Sequence, residues 1–566
     1  MIKRILLPLL IPISLAGCAT TAPAPLPPQA NGMVSAADPR AAEAGAAMLR
    51  QGGSATDAAI ATMLALTVVE PQSSGIGGGG FYLRGAPDGT VTTIDGRETA
   101  PAAAGEDWFL DEDGKSVGYR NAVMTGLSIG VPGNLRLAEM AHEKYGRLEW
   151  EALFAPAIAL ASEGFELSPR GHEYLSRFKE RAGRDERIRP VYFDETGEPR
   201  AIGTTIRNPE LAKRLTRIAN DGPQAFYGGI SASAMAMTIR EDTPRTGAMD
   251  VTDITSYQAT PRDAVCGEYR GYRICGMGPP SSGATTVFAM LKQLESHDLM
   301  ALGADNPTFW HLFAESQRLA YADRERYLAD GNFVSVPVAG LMDGDYLASR
   351  GQLIAPDARM ADVSHGTPGG VAIAPPDGDE PAENGTSHFV VVDGAGNAVS
   401  YTSTIEGPFG SGLTFGGFYL NNELTDFSFT PEKDGRKVAN RVEGGKRPRS
   451  SMSPTLVYGP DGDLVMAIGA AGGSTIPVQV ARGLIGMIDF GMAPADALAL
   501  PVLFSPGDGV AIEKGSALEA MVPALEALGH NVTARALPLK ANAARKVGGD
   551  WIGAADPRSE GIVAQP

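Results

Sequence analysis

Residues 384–412, NGTSHFVVVDGAGNAVSYTSTIEGPFGSG, decide how this chain is read. Apolar and polar residues alternate on both sides of DGAGN (393–397), the pattern of two antiparallel strands joined by a short loop. A five-residue loop sets Val392 opposite Ala398, and counting outward sets Thr386 opposite Thr404. Two hydroxyls then meet at the open end of the hairpin. Immediately upstream, APPDGDEPAENG (374–385) is rich in Pro, Gly and acid, so a loose loop leads straight into a strand that begins Gly-Thr. This reads as a cleavable junction, with Thr386 a nucleophile that becomes an N-terminus.

Working outward, the 566 residues suffice for several domains or for one large unit, and no interdomain linker precedes 374–385. Lys+Arg of 48 against Asp+Glu of 66 gives 48 − 66 = −18, which argues against nucleic acid or anionic lipid as the main partner. The N-terminal MIKRILLPLLIPISLAGC pairs Lys3 and Arg4 with an apolar run too short and Pro-broken to span a membrane. Residues 1–17 therefore read as an export signal. LAGC resembles a bacterial lipobox, which implies cleavage before Cys18 and lipid on its sulfur; the alternative is an ordinary signal with an incidental cysteine. Ala19 points to outer-membrane sorting from the periplasm, and the Pro/Ala-rich residues 18–32 to a tether.

Cys266 and Cys275 remain, in VCGEYRGYRIC. A turn at Arg270-Gly271 pairs Tyr269 with Tyr272 and brings the two cysteines opposite one another, within reach of a cross-strand disulfide. Export permits oxidation; two buried thiols are the other possibility. No CxxC, HExxH or His/Cys cluster occurs, so neither a metal nor a cofactor is expected.

Two motifs are set aside. Gly75, Gly77 and Gly80 match GxGxxG, but they follow a helix and lead into a strand, the reverse of a dinucleotide site; they read instead as backbone passing close to backbone. GLSIG (126–130) matches a hydrolase elbow, yet VPG follows at once and does not continue as the required helix. Residues 134–350 read as largely helical, broken by the cysteine hairpin and by GPPSSGATT. Downstream, Gly472-Gly473 join a strand to a helix, where free N–H groups form a ready anion site or simply a tight turn.

Thirteen blocks in order, DPRAAEAG, GGSATDAA, VEPQSSGIGGGGF, DGRETAP, GVPGN, PPSSG, AYADR, GTSHFVVVD, FGSG, LNNELTDF, KRPRSSMSPT, GAAGGS and ADPRSEG, resemble the gamma-glutamyltranspeptidases of the N-terminal nucleophile hydrolase superfamily. The resemblance implies an α+β fold, a four-layer αββα sandwich made as one precursor. Self-cleavage between Gly385 and Thr386 would give a large subunit (33–385) and a small one (386–566). Thr404 would orient Thr386, and Gly472 and Gly473 would stabilise the oxyanion. Arg97 with Ser450 and Ser451 would hold the donor's α-carboxylate; Glu406, Asn421, Glu423 and Asp426 would surround its α-ammonium. The α-amino group of Thr386, with an ordinary pKa of about 7.7–8.0, would serve as base, leaving His388 structural. Glu406 and Glu423 stand where the family varies between amide and acid. The segment 427–446 is shorter than the family's lid loop and lacks tyrosine, so a partly open pocket is expected.

The implied donors are glutathione and other γ-glutamyl compounds, with water, amino acids or peptides as acceptors. Two alternatives are carried: a glutaryl or cephalosporin-type acylase of the same superfamily, and an inactive lipid-anchored binding homologue.

Overall fold

The computed structural model describes residues 32–381, 383 and 385–566. Cys18 and the whole proposed signal lie outside the described residues. Among the described residues no helix is long and apolar enough to cross a membrane.

Asp393 builds the turn of the central hairpin. Its N–H donates to the Asn397 carbonyl at 3.0 Å, and its Oδ1 accepts the N–H groups of Ala395 and Asn397, each at 3.0 Å. The register agrees with the count from sequence: Val392 faces Ala398, and Ser387 faces Ser403. The strands Ser387–Val392 and Ala398–Thr404 sit in the middle of a seven-stranded sheet. Met33–Ala36 and Ile562–Ala564 extend it on one side, and Gly79–Gly85, Val91–Asp95 and Thr260–Arg262 on the other. Segments from before and after residue 385 are thus interleaved in one sheet.

Both faces of this hairpin are buried, and strand periodicity decides what each face meets. Phe389, Val391, Val399 and Tyr401 pack against helices that include Pro39–Arg50 and Ala55–Val69. Val390, Val392 and Ala398 point the other way, onto Leu456, Leu464 and Ala467 of a second, six-stranded sheet. Each valine or leucine among them contributes about 1.5–3 kcal/mol on burial. The far face of the second sheet is covered by Gly283–Leu294, Pro307–Tyr327 and Ile476–Ile488. The result is the expected αββα sandwich.

Ser54 and Asp57 form a reciprocal capping box on Ala55–Val69. A Cβ on Gly77 or Gly78 would lie 2.0 Å from the carbonyl oxygen of Tyr419 or Thr404, so the glycine run does thread between backbones. Ser128 donates to the Val123 and Thr125 carbonyls, both at 2.9 Å, a local cap. Cys266 faces Cys275 with Cα atoms 4.1 Å apart, and the two are disulfide-bonded.

Candidate active site

Four chain segments converge where the hairpin opens: Thr386 and Thr404 from its two ends, residues 471–475 from the end of Leu464–Ala471, and Arg97 just beyond Val91–Asp95. Thr386 is buried and lies at φ +94°, a region that a β-branched residue occupies only when its surroundings force it. The forcing contacts are visible. Its N–H donates to the Ser73 carbonyl at 3.2 Å, and its Oγ1 donates to Thr404 Oγ1 at 3.2 Å. Thr404 Oγ1 also accepts the Glu406 N–H at 2.8 Å, which fixes its lone pairs.

The carbonyl of Gly385, next to Thr386, accepts the Gly472 N–H at 3.1 Å. An oxyanion forming there is therefore already aimed at a donor. Gly472 adopts φ +125°, and a Cβ on it would stand 1.9 Å from the Pro538 carbonyl oxygen. Gly385 has no room either: its Cβ would lie 1.7 Å from the Glu406 carbonyl oxygen. Small size at the acyl side of the junction is a steric requirement of this site.

Charge is arranged differently from the two separate walls expected. Arg97, fully buried, donates directly to Glu423 and, at 2.6 Å, to Asp426, with further bonds to the Pro448 and Arg449 carbonyls. Burial and mutual repulsion push Glu423 and Asp426 well above the usual carboxylate range against the pull of Arg97. Glu98 joins them, raised by burial from 4.5 to about 7. One guanidinium cannot balance three buried carboxylates, so a proton is held among them near neutrality.

One of the expected donor contacts is already taken in the uncut chain. The Glu383 carboxylate accepts the Ser451 N–H at 3.1 Å and Ser451 Oγ at 3.0 Å, and pairs with Arg324 at 2.6 Å. A carboxylate thus already sits on the serine assigned to a carboxylate. Ser450 Oγ accepts the Met452 N–H at 3.2 Å, and its N–H is bound to the Pro280 carbonyl.

Asn421 differs most from its expectation. Its amide donates to the Gly77 and Gly130 carbonyls and accepts from the N–H groups of Gly130 and Glu423, so it braces backbone rather than facing a ligand. The neighbouring Asn422 instead reaches Glu406 and the Gly407 N–H. His388 packs over Gly469, bonds Thr402 Oγ1 at 2.9 Å and is pushed by burial to about 3, neutral at working pH. Among the described residues one carboxylate trio, Glu325, Asp377 and Glu380, has metal-like spacing; Glu325 and Glu380 are already paired to Arg449, at 2.5 and 3.5 Å.

Participants that escaped sequence reading include Glu98, Arg324 and Glu383. The AYADR block contained Arg324 and the acidic run contained Glu383, but nothing local says that they meet.

The Gamma-glutamyltranspeptidase family model matches residues 41–565. The chain is 38% identical over 488 residues to a glutathione hydrolase proenzyme of Bacillus subtilis, covering 84% of this chain and 81% of that protein. It is 35% identical over 541 residues to the glutathione hydrolase proenzyme of Escherichia coli, covering 94% and 90%. Among solved structures it is similar to a cephalosporin acylase from Bacillus halodurans, with a TM-score of 0.82, 25% identity and coverage of 98% and 99%.

Proposed function

We propose that this chain, which belongs to the gamma-glutamyltranspeptidase family, is a self-cleaving γ-glutamyl hydrolase and transferase acting on glutathione and related donors. The observation that carries the reading is the arrangement at residues 385–386: a hydroxyl held by Thr404 beside a carbonyl already bonded to the Gly472 N–H. In the precursor, Thr386 Oγ1 attacks the Gly385 carbonyl carbon, the peptide nitrogen leaves as the α-amine of Thr386, and water hydrolyses the ester. Two subunits result, the smaller beginning at Thr386.

In turnover, that α-amine takes the Oγ1 proton as the oxygen attacks the donor's γ-carbonyl. The Gly472 N–H, with that of Gly473, receives the oxyanion, each donor contributing about 3 kcal/mol. The protonated amine returns its proton to the leaving nitrogen, and water or an amine acceptor then takes the glutamyl group from the ester. Withdrawal of the cut segment frees Ser451 and Arg324 from Glu383, and the donor's α-carboxylate takes that place with help from Arg97 and Ser450. Glu406, Glu423 and Asp426 then meet an α-ammonium whose charge relieves their repulsion.

The structural likeness to an acylase supports a second reading, removal of a glutaryl group. A glutaryl donor lacks the ammonium, which leaves the Glu423–Asp426–Glu98 excess unrelieved. Comparing γ-glutamyl anilide with glutaryl anilide separates the two: the γ-glutamyl donor is expected to react at least about a hundredfold faster, and preference for glutaryl anilide would overturn the assignment. The LAGC sequence further supports export and lipid attachment at Cys18, with the enzyme held at the outer membrane. Fatty-acid labelling that persists in Cys18→Ala would remove that part.

A further inference from the structure

Behind the nucleophile lies a buried ion pair that the reaction scheme does not use. Lys540 Nζ donates to Glu70 Oε2 at 2.8 Å, to Ser387 Oγ at 3.1 Å and to Ser73 Oγ at 3.4 Å. Ser387 Oγ in turn donates to the same Glu70 oxygen at 2.5 Å. Ser387 follows Thr386 in the chain, and the Ser73 carbonyl accepts the Thr386 N–H at 3.2 Å. The pair therefore grips both neighbours of the nitrogen that becomes the catalytic amine.

The main chain of the same residue reaches the other half of the centre. Lys540 N–H donates to Gln479 Oε1 at 3.2 Å; Gln479 Nε2 donates to the Ala471 carbonyl at 2.8 Å and to Thr475 Oγ1 at 3.0 Å. Thr475 Oγ1 donates to the Gly472 carbonyl at 2.9 Å, and Lys540 is the strand partner of Ala471. Two residues earlier, the Pro538 carbonyl lies against Gly472 so closely that no side chain fits there.

We propose that Lys540 is a positioning residue: its main chain sets the Gly472 turn, and its ammonium, paired with Glu70, sets the position and charge environment of the Thr386 nitrogen. The inference rests on the reading of Thr386 as an N-terminal nucleophile. A base must be an unprotonated amine. Without the Lys540 charge, Glu70 would be left with Arg170 alone at 3.9 Å, a looser partner, and its residual attraction would hold that amine as ammonium to higher pH. Among the described residues, the charges linked to this pair include Arg170, whose Nε lies 3.9 Å from Glu70 Oε1, and the Asp38–Arg40 pair; Glu406 lies just past the end of the Thr404 strand. His388 is neutral.

The test is the pH dependence of kcat/KM for γ-glutamyl anilide in the processed wild type, Lys540→Arg, Lys540→Met and the double variant Lys540→Met/Glu70→Gln. Lys540→Met is expected to lose at least about tenfold more activity at pH 6 than at pH 9, as its acidic limb moves up. Lys540→Arg and the double variant are expected to restore the wild-type limb. Parallel loss at every pH, or an unmoved limb in Lys540→Met, would overturn the proposal.

Should Lys540→Met not mature, Ser387→Ala decides instead. It cuts only the link between the pair and the nucleophile strand, and is expected to lower kcat at constant KM with the limb displaced; unchanged kcat would overturn the inference. A wild type that neither cleaves itself nor turns over the anilide would instead sink the reading on which the inference rests.

Discussion

Two hairpins in this molecule obey the same pairing rule and end in different chemistry. In one, Val392 faces Ala398 across an Asp393 turn; in the other, Tyr269 faces Tyr272 across Arg270-Gly271. The cysteine hairpin is the outer pair of its sheet, with alternate residues of its outer strand exposed, and its two notable side chains are joined to each other. The Thr386–Thr404 hairpin is buried on both faces, and its open end meets segments from across the chain. Register alone makes a crosslink. Register plus convergence makes a candidate reaction centre.

The sharpest way to break this contrast is at Thr386. Thr386→Ala is expected to leave a single chain and to reduce γ-glutamyl anilide turnover at least about a thousandfold, measured by electrophoresis and initial rates. Gly385→Ala follows, because its Cβ would fall 1.7 Å from the Glu406 carbonyl oxygen. Self-cleavage of that precursor is expected to slow at least about tenfold when band ratios are followed over time.

A third test sharpens the contrast through pH. The Glu98 pKa is raised from 4.5 to about 7 in the folded chain, so the native state holds a proton that the unfolded state releases. Its stabilising contribution is full below about 4.5 and is lost as pH rises through about 7. In the uncut Thr386→Ala background, the urea midpoint is expected to fall between pH 5 and 8, and Glu98→Gln to flatten that slope. The smallest effect belongs to the other hairpin. Replacing Cys266 and Cys275 together by Ser is expected to cost about 2 kcal/mol of stability while changing turnover less than twofold, by denaturation and rate assays.

What the sequence revealed follows from the range of the forces involved. Hairpin register and the glycine run are set by neighbours a few residues away, and both were legible. The family blocks marked Thr386, Thr404, Arg97, Ser451 and the glycine pair as parts of one site. The contacts within that site were not legible. Lys540 and Glu70 lie 470 positions apart, and only packing makes their charges meet. Arg97 and the acids Glu423 and Asp426 were assigned to opposite ends of a donor, yet they pair with each other in the uncut chain, because a buried guanidinium takes whichever carboxylate is within reach. Asn421 read as a ligand group for the same reason: its residue type was visible, but the two backbone loops that absorb its amide were not.

The central claim is that this chain cuts itself at Thr386. Purified protein incubated at neutral pH, separated under denaturing conditions and sequenced from each N-terminus tests it directly. Two chains in equal amounts are expected, the smaller beginning Thr-Ser-His; an intact single chain that nevertheless turns over γ-glutamyl anilide would overturn self-cleavage as the source of the nucleophile.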